Sequence, residues 1–280
     1  MTDAEKNKLL QDVEKQRRIS LRKRIFNEIF GLLFVLAGFV FILCSFLVTP
    51  GSFYLLFFLI GILIILFLPI VFMYQAKSET KKYQSHVLLS AMVSQTDFYE
   101  SYSLIYREEE WKLPKGNILK EKAYVPHCLT SHHKGRIQGL DFTSFLYASP
   151  EKHQHGRVIT YLLDAGVPSE IDIISKKRMY AYHVPKEGFL KDEGYPDHIS
   201  FKQDASVVLD DLVSEVETLE KEYSFDMSLV LKGRNCQVYL EGIDDLHLSL
   251  HHVFDEQMLS KVLSYLKLEG TLKERLQLGK

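Results

Sequence analysis

Residues 29–76 contain no Asp, Glu, Lys or Arg. In an ordinary globular domain about a quarter of residues are charged, so a gap of 48 residues excludes most soluble architectures at once. Within the gap, residues 29–48 and 53–73 are two runs dominated by Leu, Phe, Ile and Val. A hydrocarbon core about 30 Å thick takes about 20 apolar residues as a helix, and each run supplies that length. The link, Thr49-Pro50-Gly51-Ser52, is turn chemistry and too short for anything but antiparallel neighbours. Pro69 lies near the end of the second run, where a kink is tolerated because the chain is leaving the hydrocarbon. A cleaved signal peptide fits poorly: the core starts late, is long, and no A-x-A site follows.

The overall charge of −2 conceals three regions. Residues 1–28 hold eight basic and five acidic side chains, the gap holds none, and residues 77–280 hold 26 basic and 31 acidic. Arg17, Arg18, Arg22, Lys23 and Arg24 precede the first run, and Lys77, Lys81 and Lys82 follow the second. Cytoplasmic flanks carry the Lys/Arg excess. The expectation is therefore a multi-pass protein of the inner or plasma membrane, both termini cytoplasmic, with the turn outside. Residues 1–28 read as a polar helix with a thin apolar stripe. Its cations either rest on anionic headgroups or are solvated and merely set the topology. No ionisable group sits within the runs, which removes the usual mark of an ion or proton path. Gly31, Gly38 and Gly61 permit close helix packing, although no GxxxG spacing occurs.

The remaining 77–280 is long enough for its own core, and its mild acidity argues against a nucleic-acid surface. Residues 77–97 read as a helix with Tyr83, Val87, Leu88 and Ala91 on one face, continuing the second span. Residues 98–120 read as irregular. Strands are expected over 136–148 and 157–164 around a long turn at 149–156, and over 170–175. A loop follows over 185–196. Leu209, Leu212, Val216, Leu219 and Tyr223 mark a helix whose stripe packs on its own sheet. Strands around 225–232 and 236–241 turn at Gly233-Arg234-Asn235, and a further strand is expected over 246–252. Asp255 caps a final helix with Met258, Leu259, Val262, Leu263 and Leu266 on its buried face. The predicted class is α+β: a transmembrane helical hairpin, then a cytoplasmic domain with a mainly antiparallel sheet and flanking helices.

Chemical signatures are sparse. Cys44, Cys128 and Cys236 stand far apart without a CxxC, as three unpaired thiols in a reducing compartment would. No Walker loop, GxGxxG, GxSxG or HExxH occurs. Histidines cluster at 127/132/133, 153/155 and 247/251/252. On a strand, His247 and His251 share a face, and a carboxylate from Asp244 or Asp255 would complete a zinc site. Exposed histidines in loops and on a sheet face are the commoner outcome, and no cofactor is expected. The leading expectation is a non-enzymatic binding or scaffold module at the cytoplasmic membrane face. It is held by the bilayer and engages a protein partner; the alternative is a metal-dependent enzyme built on the histidines.

Three features together carry a family resemblance: the hairpin anchor, the G-x-I-x-G-L-D-F-like stretch from Gly135 to Phe142, and the C-terminal pattern. In the last, a strand over 236–240 and another over 246–250 lead to Phe254-Asp255, opening a helix that closes on Leu276-Gln277-Leu278. Over most of 25–278 the chain resembles an uncharacterised family of bacterial two-helix membrane proteins, often encoded near LemA-type genes. The resemblance implies a membrane anchor and no assigned activity, and it transfers no site residue.

Overall fold

The computed structural model describes residues 2–47, 52–94, 99–104, 125–126, 133–149, 154–166, 170–177, 189–190, 198–202, 209–242 and 248–278. Of the expected features, residues 49–51 of the turn, 98 and 105–120 of the stretch read as irregular, Cys128, His127, His132, His153, Asp244, His247 and all of the 185–196 loop except 189–190 lie outside these residues; 99–104, read as irregular, is a strand. The chain divides into two compact units, one formed by 1–91 with 247–260 and the other by 92–246 with 261–280.

In the first unit, α1 (Asp3–Leu47) and α2 (Ser52–Val93) are each one continuous helix. The polar segment 3–28 and the first apolar run are thus a single rod, as are the second run and 77–93. Helix α2 passes through Pro69 without ending. In the apolar half of α1 the buried positions are Gly31, Gly38 and Ser45, seven residues apart. A seven-residue repeat keeps one face on its partner when two helices wind gently round each other. The rods touch there at backbone distance. A Cβ on Gly38 would sit 2.9 Å from the Gly61 carbonyl oxygen and 2.5 Å from Ile65 Cγ1, so only glycine fits. The Ser45 hydroxyl donates to the Ile42 carbonyl at 2.6 Å, which satisfies it within the apolar segment.

Two helices are thus long and apolar enough to cross a membrane. Within their most apolar 18-residue windows only 17% and 6% of residues are buried. Outward-facing Phe, Leu, Ile and Val run from Ile25 to Leu47 on α1 and from Leu55 to Val71 on α2. At 1.5 Å per residue these bands are roughly 33 and 24 Å tall.

The second unit is built on a ten-stranded antiparallel sheet. Its strands are β1 (Tyr99–Leu104), β2 (Val125–Pro126), β3 (His133–Ile137), β4 (Leu140–Ser149), β5 (Gln154–Leu162), β6 (Ile171–Ser175), β7 (Phe189–Leu190), β8 (His198–Lys202), β9 (Asp226–Lys232) and β10 (Asn235–Glu241). The order is β1-β3-β4-β5-β10-β9-β6-β8-β7, with β2 beside β4. The expected single strand over 136–148 is instead the β3–β4 hairpin. Gln138 and Gly139 both take positive φ, 44° and 87°, the backbone of a type I′ turn. This accounts for the G-x-I-x-G-L-D-F stretch as packing: Gly135 lets the Ser101 carbonyl approach where a Cβ would collide, Gly139 turns, and Leu140 and Phe142 are buried. The β4–β5 hairpin joins the two expected strands but extends into the expected turn, with Ser149 paired to Gln154, and the β9–β10 hairpin falls where the sequence placed it, reversing at Gly233 with φ 57°.

Helix α3 (Leu209–Tyr223) buries Val213, Val216 and Leu219. The last helix, α4 (Glu256–Arg275), opens with the Asp255 carboxylate accepting from the Met258 amide at 2.8 Å, the expected N-cap. Arg275 pairs with Glu215 at 2.5 Å and Glu222 at 3.1 Å, which ties α4 to α3. The observed class is α+β, as expected.

Candidate functional site

Below the apolar band, α1 and α2 continue as a polar stalk. Its interior is formed by Val13, Arg17 and Ser20 from α1 and by Ala76, Glu79, Tyr83, Val87, Leu88 and Ala91 from α2. Residues 248–254 lie along it, with Leu248, Leu250 and Phe254 buried. Three main-chain groups of this strap are held by stalk side chains. Gln84 Nε2 donates to the Leu248 carbonyl at 3.0 Å, and Arg17 Nη1 donates to the Leu250 carbonyl at 2.5 Å. The Phe254 amide donates to Glu14 Oε2 at 3.3 Å. The strand expected over 246–252 is absent at 248–252, where the Leu248 and Leu250 carbonyls accept from stalk side chains. Glu14 also accepts two bonds from Arg17, at 2.7 and 2.8 Å, and one from Arg18 at 3.0 Å. The Arg17 guanidinium is the main reason the Glu14 carboxyl is held down at about 2. Burial pushes the Tyr83 phenol well above its ordinary range.

The flanking cations of the sequence therefore separate into two groups. Arg17 is 7% exposed and belongs to the stalk interior, contrary to a solvated or lipid-resting role for the whole N-terminal segment. Arg18 pairs with Glu14, Arg24 with Glu28 at 2.7 Å, and Lys82 with Glu79 at 2.6 Å. Arg24 Nη1 also donates to Thr80 Oγ1 at 3.3 Å, which sets residues 22–24 of α1 level with 77–82 of α2. Arg22, Lys23, Lys77 and Lys81 make no ion pair among the described residues; Lys81 is half-buried and the other three are exposed.

The second unit holds a charged cluster that sequence reasoning missed. Arg157 (β5), His133 (β3) and Glu269 (α4) are each 0% exposed. Glu269 Oε1 accepts from Arg157 Nη2, and His133 Nε2 lies 2.5 Å from the same oxygen. The Tyr99 hydroxyl is shared between Glu269 Oε2 at 2.8 Å and the Leu266 carbonyl at 2.5 Å. Arg157 further donates to Ser144 Oγ at 2.8 Å and to the Tyr265 carbonyl at 3.1 Å, and stacks 3.9 Å over the Tyr265 ring. The Tyr161 hydroxyl donates to the Glu269 carbonyl at 2.6 Å. Burial raises the phenols of Tyr99 and Tyr161 far above their usual range, so both act as neutral donors. A paired, multiply bonded carboxylate is how a buried charge is tolerated. The arrangement fastens α4 to the sheet and offers no exposed reacting atom. Its signal was present in the sequence: Glu269 continues the Val262, Leu266 stripe, and Arg157 alternates with Ile159 and Tyr161.

The histidine reading gains no geometry. His251 is exposed on the strap, His247 lies outside the described residues, and Asp255 is engaged as the α4 cap. Among the described residues no three His, Cys, Asp or Glu side chains are grouped as a metal site would need. His133 faces Glu269. Cys236 is buried, with its thiol pushed up by desolvation.

No protein-family model matches the chain. Comparison with curated proteins gives no match. Comparison with solved structures gives none either.

Proposed function

We propose that this chain is a membrane-tethered binding or scaffold module. The hairpin spans the bilayer of the inner or plasma membrane, and the sheet unit stands at the cytoplasmic face to engage a protein partner. The observation that carries this reading is the outward-facing apolar band of α1 and α2, a bilayer's height of exposed Leu, Phe and Ile that water would not tolerate. The cations at residues 15–24 and 77–82 orient both termini to the cytoplasm. Kinship with the bacterial two-helix family is part of the proposal. A binding role is favoured over an enzymatic one because the strongest polar cluster is sealed and structural.

Membrane fractions washed at alkaline pH should retain the full chain. A Ser52→Cys residue in a Cys44→Ala background should react with an impermeant thiol reagent on intact cells. A reporter fused after Lys280 should be active only in the cytoplasm. Crosslinking in intact membranes followed by detergent extraction should trap a reproducible partner. Release at alkaline pH, or a reporter active outside, overturns the anchoring or the orientation. Substrate turnover by the purified chain, lost on a defined side-chain change, overturns the binding role.

A further inference from the structure

The four cations beside the apolar band that make no ion pair among the described residues have a specific geometry. Arg22 and Lys23 lie within about 5 Å, along α1, of Ile25 at the start of the band; Lys77 and Lys81 lie about 5 and 10 Å beyond Tyr74 on α2. The Arg24–Thr80 bond puts the two pairs at one level. The carboxylates at this level are already engaged, Glu28 by Arg24 and Glu79 by Lys82. Among the described residues the level therefore carries four cations without a carboxylate partner. Directly above them are exposed apolar side chains: Ile25, Phe26, Val71 and Tyr74, the last 73% exposed. A soluble acidic peptide would satisfy the charges and leave those side chains uncovered. An amphiphile with a phosphate next to acyl chains satisfies both.

We infer that Arg22, Lys23, Lys77 and Lys81 form a headgroup site selective for anionic phospholipid. The inference rests on the membrane-spanning reading and adds lipid selectivity to it. Arg17, Arg18, Arg24 and Lys82 are excluded from the site, because each is spent on a carboxylate of the stalk. Cations near a membrane surface attract acidic lipid, an attraction screened within a Debye length.

The test uses the full chain purified in mild detergent and doped with equal amounts of phosphatidylglycerol and phosphatidylcholine. Native mass spectrometry counts the bound lipids. At low salt phosphatidylglycerol should be enriched roughly fivefold, and the enrichment should fall as salt is raised. The variant R22Q/K23Q/K77Q/K81Q should bind both lipids equally while its helical circular dichroism is unchanged. Replacing the exposed Lys261 and Lys267 of α4 by Gln should leave the enrichment intact. Equal binding by the unaltered chain, or a preference that survives the fourfold change, overturns the site. Soluble glycerol phosphate bound with the same residue dependence would also overturn it, since the ligand would be a free phosphate and not a lipid. Extraction of the chain at alkaline pH overturns the spanning reading itself, whereas retention without lipid preference overturns only the headgroup site.

Discussion

Arg17 Nη1 lies 2.5 Å from the carbonyl oxygen of Leu250, a residue 233 positions further along the chain. The same guanidinium is fixed by Glu14, which also receives the Phe254 amide. One ion pair on α1 thus holds two main-chain groups of the strap. Charge-assisted bonds of this kind are worth about 1.5–3 kcal/mol each when buried. Arg17→Met, which keeps the stem and removes the donors, should raise hydrogen exchange of the 248–254 amides about 10- to 100-fold. Unchanged protection would show that the strap is held by its leucines alone.

Acid should loosen the same clamp. The Glu14 carboxyl titrates at about 2, below its ordinary 4.5. A depressed carboxyl contributes stability that is complete above the unfolded value and is lost as pH falls through the folded one. Strap protection should therefore be flat from pH 7 to 5 and decline between about 4.5 and 2. Glu14→Gln should abolish that decline and leave the strap weaker at neutral pH.

The helix pair predicts a crosslink. A Cβ built on Gly31 lies 3.5 Å from Phe72 Cβ, within the span a disulfide bridges. Gly31→Cys with Phe72→Cys, in a Cys44→Ala background, should oxidise within one chain in membranes. Adding Gly38→Leu, which collides with Gly61 and Ile65, should cut that yield severely, overpacking costing about 1–3 kcal/mol. Efficient crosslinking in the variant that also carries Gly38→Leu would contradict the Gly38–Gly61 contact.

The buried cluster of the sheet unit should be intolerant of half-removal. Glu269→Gln leaves Arg157 charged and unmatched, and should cost about 3–5 kcal/mol. Changing both, Arg157→Met with Glu269→Leu, should recover a large part of that loss. Thermal unfolding in detergent, followed by circular dichroism, reads the difference. A single variant as stable as the parent would refute the pairing.

Asp172 on β6 offers a second pH dependence with the opposite sign. Burial raises its carboxyl to about 6, partly offset by Lys232 and reinforced by Glu170. Between about pH 4 and 6 the folded chain keeps a proton that the unfolded chain has released, so stability falls as pH rises through this window. Asp172→Asn should remove the slope and gain about 1 kcal/mol at pH 7.5, after allowance for partial exposure. Melting temperatures of both forms at pH 4.5 and 7.5 decide it.

The sequence by itself determined the two apolar helices, the antiparallel α+β class, the β9–β10 hairpin and the Asp255 cap. Each depends on local chemistry: an uninterrupted apolar length, period-two alternation, a glycine turn, a carboxylate at a helix start. It also contained the cations beside the apolar band, though not which of them pair with a carboxylate among the described residues. Tertiary structure alone decided that Arg17 is interior, that 248–252 is a strap and not a strand, and that Gly38 meets Gly61. It alone brought Glu269 to Arg157 and His133 across 112 and 136 residues. The β3–β4 turn lay between these extremes, because Gln-Gly is a weaker turn signal than Asn-Gly and the flanking alternation runs through it. Periodicity reports which face of an element is apolar. It does not report which distant group will meet a charge on that face, because such a charge is tolerated only where its partner happens to be folded against it.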